Sequence, residues 1–207
     1  MEASELRFDG PETAPLTLVL AHGAGAPMDS PFMNRVAAGV SGAGFRAVRF
    51  EFPYMRARRG GEKRGAPDRE PVLRQAWTEA IALAGGPARL AIGGKSLGGR
   101  IASMVADEAG VLGLVCLGYP FHPPGRPDRL RTKHLENLAT RALIVQGTRD
   151  PFGTREDVAG YRLSPSISVH WLEDGDHSWK PRASSGRTEA QSLSDGIAAV
   201  CAFLGTL

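Results

Sequence analysis

Leu90-Ala91-Ile92-Gly93-Gly94-Lys95-Ser96-Leu97-Gly98-Gly99-Arg100 is the stretch around which the chain is organised. Leu90 to Ile92 is apolar without alternation, which suits a short strand covered on both faces of a parallel sheet. After the turn, Leu97, Ile101, Met104 and Val105 recur at helical spacing, with small Ala102 and Ser103 beside them. Between the two, Gly94-Lys95-Ser96-Leu97-Gly98 fits G-x-S-x-G, the sharp turn that presents a serine at its tip as a nucleophile. A serine held there adopts a strained backbone conformation, and side chains two residues to either side would collide. Glycine at 94 and 98 removes that collision. The helix that follows aims free N–H groups and its positive dipole end at whatever the hydroxyl attacks. The Gly-Lys-Ser triplet also invites a phosphate-loop reading, but that motif needs glycine at position 89, where the chain has Arg89. A chance match in a glycine-rich chain is the other rival. The strand before the turn and the helix after it argue against chance.

A chain of 207 residues suits one domain, residues 1–207, with volume for one sizeable core. Its formal net charge of +3 is mild and does not by itself imply a nucleic-acid partner. Cys116 and Cys201 each sit in an apolar run. They read as buried free thiols rather than a disulfide, which suits a reducing cytoplasm. Met1 to Glu5 is acidic and lacks an apolar signal core, and no run is long enough to cross a membrane. A cytoplasmic protein without a membrane partner is expected, and no motif calls for a cofactor or a metal.

Leu16 to Ala21 reads as the first full strand, with Leu6 to Phe8 as a short edge strand before it. His22-Gly23-Ala24-Gly25-Ala26 then forms a loop, and Ser30-Pro31 starts a helix with an N-cap serine and a first-turn proline. Phe32, Met33, Val36, Ala37 and Val40 give that helix its buried face. Arg46 to Phe52 is a second strand. Pro53 to Glu70 reads as the longest irregular segment, carrying Arg56, Arg58, Arg59, Lys63, Arg64 and Arg69. A helix over 71–84 should bury Val72, Leu73, Ala76, Ala80 and Leu83. Later strands are expected at Val111 to Gly118, around Leu143 to Gln146, and at Ile167 to Leu172. Thr154 can cap a short helix, and Ala190, Leu193, Ile197, Val200, Cys201 and Leu204 make an apolar stripe on a long final one. Strands alternating with helices give an α/β fold with a mostly parallel sheet. Ligands then bind beyond the carboxyl ends of the strands, where the irregular loops gather.

An activated serine needs a base within hydrogen-bond reach, an acid to orient the base, and donors for the oxyanion. His177 lies on the loop after the last strand, and Asp150 on the turn after the strand before it. Asp150 has a rival structural role, because Asp before Pro is common in turns. Asp174 and Asp176 are alternative orienters of His177, although sequence neighbours rarely face a side chain correctly. His134 and His170 sit within expected elements, and His122, in the stiff segment Tyr119 to Gly125, could approach the site or serve packing.

The chain order Ser96, Asp150, His177 is that of the α/β-hydrolases. The elbow resembles that of the small, cap-less bacterial α/β-hydrolases of unassigned substrate, akin to dienelactone hydrolases and to the hydrolase-like domain of a chromatin-complex subunit. So do Leu20-Ala21-His22-Gly23-Ala24-Gly25-Ala26-Pro27-Met28-Asp29-Ser30-Pro31-Phe32-Met33, Gln146-Gly147-Thr148-Arg149-Asp150-Pro151-Phe152-Gly153 and Gly175-Asp176-His177-Ser178. The resemblance covers nearly the whole chain. It implies an α/β-hydrolase fold with about six to seven strands, helices on both faces and no cap domain. It also implies Ser96 as nucleophile, Asp150 as acid and His177 as base, with the N–H groups of Leu97 and Ala24 as oxyanion donors. His22 would brace its loop. Gly23, Arg58, Arg59, Phe121 and His122 are the candidates for substrate contact. Arg100, a cation in the first turn of a helix, should pair with Asp29 or Glu51.

The expected activity is serine-dependent, carboxylesterase-like cleavage of an acyl ester or thioester through an acyl-enzyme. A peptidase or amidase would use the same triad, and a non-catalytic interaction module would keep the fold alone. The arginine-rich loop favours an anionic small-molecule acyl substrate. Its interleaved Glu62, Asp68 and Glu70, and its lack of tryptophan or of several aromatics for stacking, argue against nucleic acid. The oligomeric state is not legible in the sequence.

Overall fold

The computed structural model describes residues 1–61 and 66–207. Seven strands of the described residues form one sheet: β1 (Arg7–Asp9), β2 (Thr17–Ala21), β3 (Arg46–Phe50), β4 (Leu90–Lys95), β5 (Gly113–Leu117), β6 (Ala142–Gly147) and β7 (Ile167–Leu172). Their order is β1-β3-β2-β4-β5-β6-β7, with every pair parallel except the antiparallel β1–β3 edge. The parallel strands all end on one edge, so the loops after β2, β4, β6 and β7 converge there. Among the described residues six helices complete the fold: α1 (Pro31–Gly42), α2 (Pro53–Arg59), α3 (Glu70–Leu83), α4 (Leu97–Ala109), α5 (Arg155–Ala159) and α6 (Glu189–Leu204).

The two-residue period of the central strands sorts their side chains between two cores. Val19, Val48, Phe50, Ile92, Leu114 and Ile144 pack on one face against Trp77 of α3 and Ile101 of α4. Leu18, Leu20, Ala47, Val115, Leu143 and Val145 pack on the other against α1 and α6. This is an α/β-hydrolase fold with helices on both faces. Between β5 and β6, residues 118–141 hold a single 3₁₀ turn, Lys133–Asn137, and no cap domain. No helix among the described residues is long and apolar enough to cross a membrane.

Local chemistry fixes the helix starts. Ser30 Oγ accepts the Met33 N–H and Pro31 occupies the first turn of α1. Reciprocal caps, Thr154 with Asp157 and Thr188 with Gln191, open α5 and α6.

Four expectations change. Pro53 to Glu70 is not wholly irregular, because Pro53 opens the helix α2; its Glu62, Lys63 and Arg64 lie outside the described residues. In α3, Val72 and Leu83 are exposed, and Trp77 and Ile81 are buried in their place. At 100° per residue the stripe through Leu73, Ala76, Trp77 and Ala80 leaves Val72 and Leu83 about a quarter-turn off the buried face. Ala190 is exposed and Cys201 only part-buried, while Cys116 is fully buried; both thiols are free. Arg100 pairs with Glu70 at 3.6 Å, not with Asp29 or Glu51. Those two carboxylates are both taken by Arg59, at 2.5 and 2.8 Å.

Candidate active site

β4 runs into α4 through a single residue, Ser96, with φ 50° and ψ −111°. That conformation lies outside the regions open to ordinary L-residues and is tolerated where the surroundings enforce it. They do so through close backbone approach. A Cβ at Gly94 would lie 2.2 Å from the Ala21 carbonyl oxygen, and one at Gly98 2.4 Å from the same atom. The collision that glycine avoids is therefore with the end of β2, not across the turn itself. Gly93 and Gly99 serve the same packing, against the backbone of Val115 and Gly94. Leu97 is the first residue of α4, so its N–H has no acceptor within the helix.

The loop after β2 lies against this turn. His22 is fully buried; its Nε2 accepts the Phe52 N–H at 3.1 Å, which leaves the proton on Nδ1, 2.7 Å from the Gly23 oxygen. Burial holds its pKa below the ordinary value, so the ring stays neutral and braces the loop. Further along, buried Arg49 of β3 reaches the Met28 oxygen and Asn34, and buried Glu51 accepts the Met28 N–H at 3.1 Å. Arg59 of α2 joins Glu51 to Asp29.

Asp150, on the turn after β6, is fully buried, and its Oδ2 accepts from His177 Nδ1 at 2.7 Å. Gln146 Nε2 donates to the same oxygen at 3.0 Å, and the Phe152 N–H donates to Oδ1 at 2.9 Å. Burial holds the His177 pKa below the usual imidazole value. The Asp150 hydrogen bond opposes that effect and the charge of Lys95 adds to it. The Phe152 ring lies 4.3 Å from the imidazole, centroid to centroid. Asp176 instead accepts the N–H groups of Ser178 and Lys180, and Asp174 is held by Arg149 and Arg182.

Ser96, His177, Gly23 and Ala24 line one cleft of about 410 Å³, walled by Phe32, Met33 and Phe152. Sequence order alone left Asp150 competing with two neighbours of His177; of the three, Asp150 bonds the imidazole. Four substrate candidates do not line the cleft. Phe121 is buried against Tyr119 and Tyr161, and His122 is buried with Nδ1 2.9 Å from the Pro123 oxygen. Without a cap the segment after β5 folds inward and buries both. Arg58 lies over the Tyr54 ring and donates to the Ala24 oxygen at 3.3 Å, and Arg59 is occupied as described.

A second serine–histidine contact lies apart from the cleft: Ser103 Oγ is 2.8 Å from His134 Nε2, with Tyr119 Oη 3.3 Å from the same nitrogen. Among the described residues no carboxylate hydrogen-bonds His134, and Ser103 donates to its own helix at the Arg100 oxygen.

A family model described as an alpha/beta hydrolase domain matches residues 14–205. The chain belongs to the α/β-hydrolase family. Solved structures with the same architecture include a dienelactone hydrolase from Anabaena variabilis, at 19% identity over 95% of this chain and 88% of that one, TM-score 0.72. An α/β serine hydrolase homologue from Coxiella burnetii is 18% identical over 94% and 90%, TM-score 0.69. A lid-less α/β serine hydrolase from Xanthomonas campestris is 18% identical over 94% and 88%, TM-score 0.61. At such identities the likeness is one of fold. Within this α/β-hydrolase, sequence reasoning missed Gln146, Phe152 and the placement of Lys95. The sole advance signal was that Gln146 lies on a strand otherwise apolar from Ala142 to Val145, where a buried amide needs partners.

Proposed function

We propose that this α/β-hydrolase is a serine hydrolase that cleaves acyl esters or thioesters through an acyl-enzyme. Ser96 Oγ attacks the acyl carbonyl as His177 Nε2 takes its proton, and Asp150 holds Nδ1–H and stabilises the imidazolium. The N–H groups of Leu97 and Ala24 receive the oxyanion, aided by the positive end of α4. Collapse expels the leaving group, protonated by His177. A water activated by the same imidazole then releases the acid and frees Ser96.

The observation that carries this reading is the 2.7 Å bond from His177 to a fully buried Asp150, with the imidazole and Ser96 lining one cleft. Apolar walls and the missing cap suit a short acyl chain more than a long lipid. A peptidase or amidase would use the same groups, and an interaction module would not need them. Acyl esters, thioesters and peptides, each in neutral and carboxylate-bearing form, are to be tested with wild type and Ser96→Ala. Short-chain ester turnover by the wild type, lost on the order of 10³-fold or more in the variant, is expected. Equal rates in both proteins would sink the proposal, and peptide cleavage alone would move it to the amidase reading.

A further inference from the structure

Lys95 precedes Ser96 and closes β4, where sequence predicts nothing more than a spacer in the elbow. Its ammonium donates to the backbone oxygen of His177 at 2.5 Å, across 82 residues of chain. The opposing position is Gly118, where a Cβ would stand 2.8 Å from Lys95 Nζ, 3.0 Å from the His177 oxygen and 3.3 Å from His177 Nδ1. Glycine there leaves room for the ammonium and the imidazole together. The Phe32 ring lies 5.6 Å from Nζ on the cleft side, within cation–π range.

We propose that Lys95 is a positioning residue of the triad: it ties the loop bearing His177 to the elbow and, through its charge, keeps the imidazole in the neutral, proton-accepting form. This inference rests on the reading of Ser96, His177 and Asp150 as a catalytic unit. The charged groups acting on His177 are Asp150 from the turn after β6, Asp176 from its own loop and Lys95 from β4; the two carboxylates favour the protonated ring and Lys95 opposes them. Burial is the larger influence favouring the neutral ring; removing the lysine takes away the charge that adds to it and shifts the balance towards the imidazolium, which cannot take a proton from Ser96. The site also argues against a purely packing role. Enclosure pushes the Lys95 pKa down to about 8, so the fold holds this cation at a cost that an apolar side chain would not carry.

The test is the titration of the His177 imidazole, followed by long-range nitrogen–proton NMR and assigned by its loss in His177→Gln. Wild type is compared with Lys95→Met and with Lys95→Gln, which keeps a polar group without the charge and serves should the methionine variant not fold. An upward shift of the His177 midpoint in either folded variant is expected. Thermal melts should show no loss of stability, and kcat should fall roughly ten- to hundred-fold with KM little changed, the size of effect a small misplacement produces. A midpoint identical to wild type overturns the proposal, as does a variant whose activity falls only in step with lost folding. The titration needs no turnover. A wild type that hydrolyses nothing would therefore count against the triad reading, while the midpoint still decides the role of Lys95.

Discussion

Asp150 and Asp176 are both within reach of His177 by sequence, but their hydrogen bonds separate them. Asp150 has no exposed surface and gives Oδ2 to the imidazole, while Asp176 caps its own turn through the Ser178 and Lys180 N–H groups. Asp150→Asn places an amide where the histidine needs an acceptor, and the wrong tautomer results. A fall in kcat on the order of 10⁴-fold is expected, the size found when the same change is made in a serine protease. Asp176→Asn retains an acceptor for its turn and should leave kcat nearly unchanged. Steady-state kinetics on one ester check both, and the reverse ranking would make Asp176 the acid.

At the scale of elements, α2 changes the meaning of the basic segment. Its arginines suggested attraction of an anionic substrate, but Arg59 spends its guanidinium on Glu51 and Asp29 and so stakes the loop that carries Ala24. Arg59→Gln should therefore lower kcat/KM for a neutral ester and its carboxylate-bearing analogue by a similar factor, roughly ten-fold for a small displacement of the loop proposed to receive the oxyanion. A loss confined to the anionic ester would return Arg59 to substrate recognition. The strands and most helices were legible because their signals are local: apolar runs, a Ser-Pro start, a glycine on each side of Ser96. The catalytic candidates were legible because each follows a strand, and parallel strands bring their ends together. What stayed hidden depends on rotation and long-range pairing. Val72 and Leu83 look like core until the stripe through Trp77 sets the face of α3, and Arg100 meets Glu70, the first residue of a different helix, which no local signal points to. Lys95 gave no sign of its partner, since nothing local links it to a carbonyl on the loop after β7.

For the molecule as a whole, buried neutral histidines contribute to its sensitivity to acid. His134 sits beside Ser103 and Tyr119; burial, with Arg100 and Arg74 nearby, pushes its pKa down to about 4. An unfolded histidine titrates near 6.5, so between about 4 and 6.5 the unfolded chain binds more protons than the folded one. Stability therefore rises with pH across that window and is lost as pH falls through it. His22 and His177, also lowered, act in the same direction. Urea midpoints taken from pH 7 to pH 4 should fall, and fall less in His134→Gln. Parallel curves for the two proteins would show that His134 does not carry the effect.

The central claim is that Ser96 is the nucleophile, and covalent capture tests it most directly. The wild type is treated with a fluorophosphonate, digested, and the modified peptide mapped by mass spectrometry, with Ser96→Ala treated alongside. One adduct is expected, on the peptide containing Ser96, with the variant left unlabelled. An adduct on another serine, or equal labelling of the alanine variant, would contradict it.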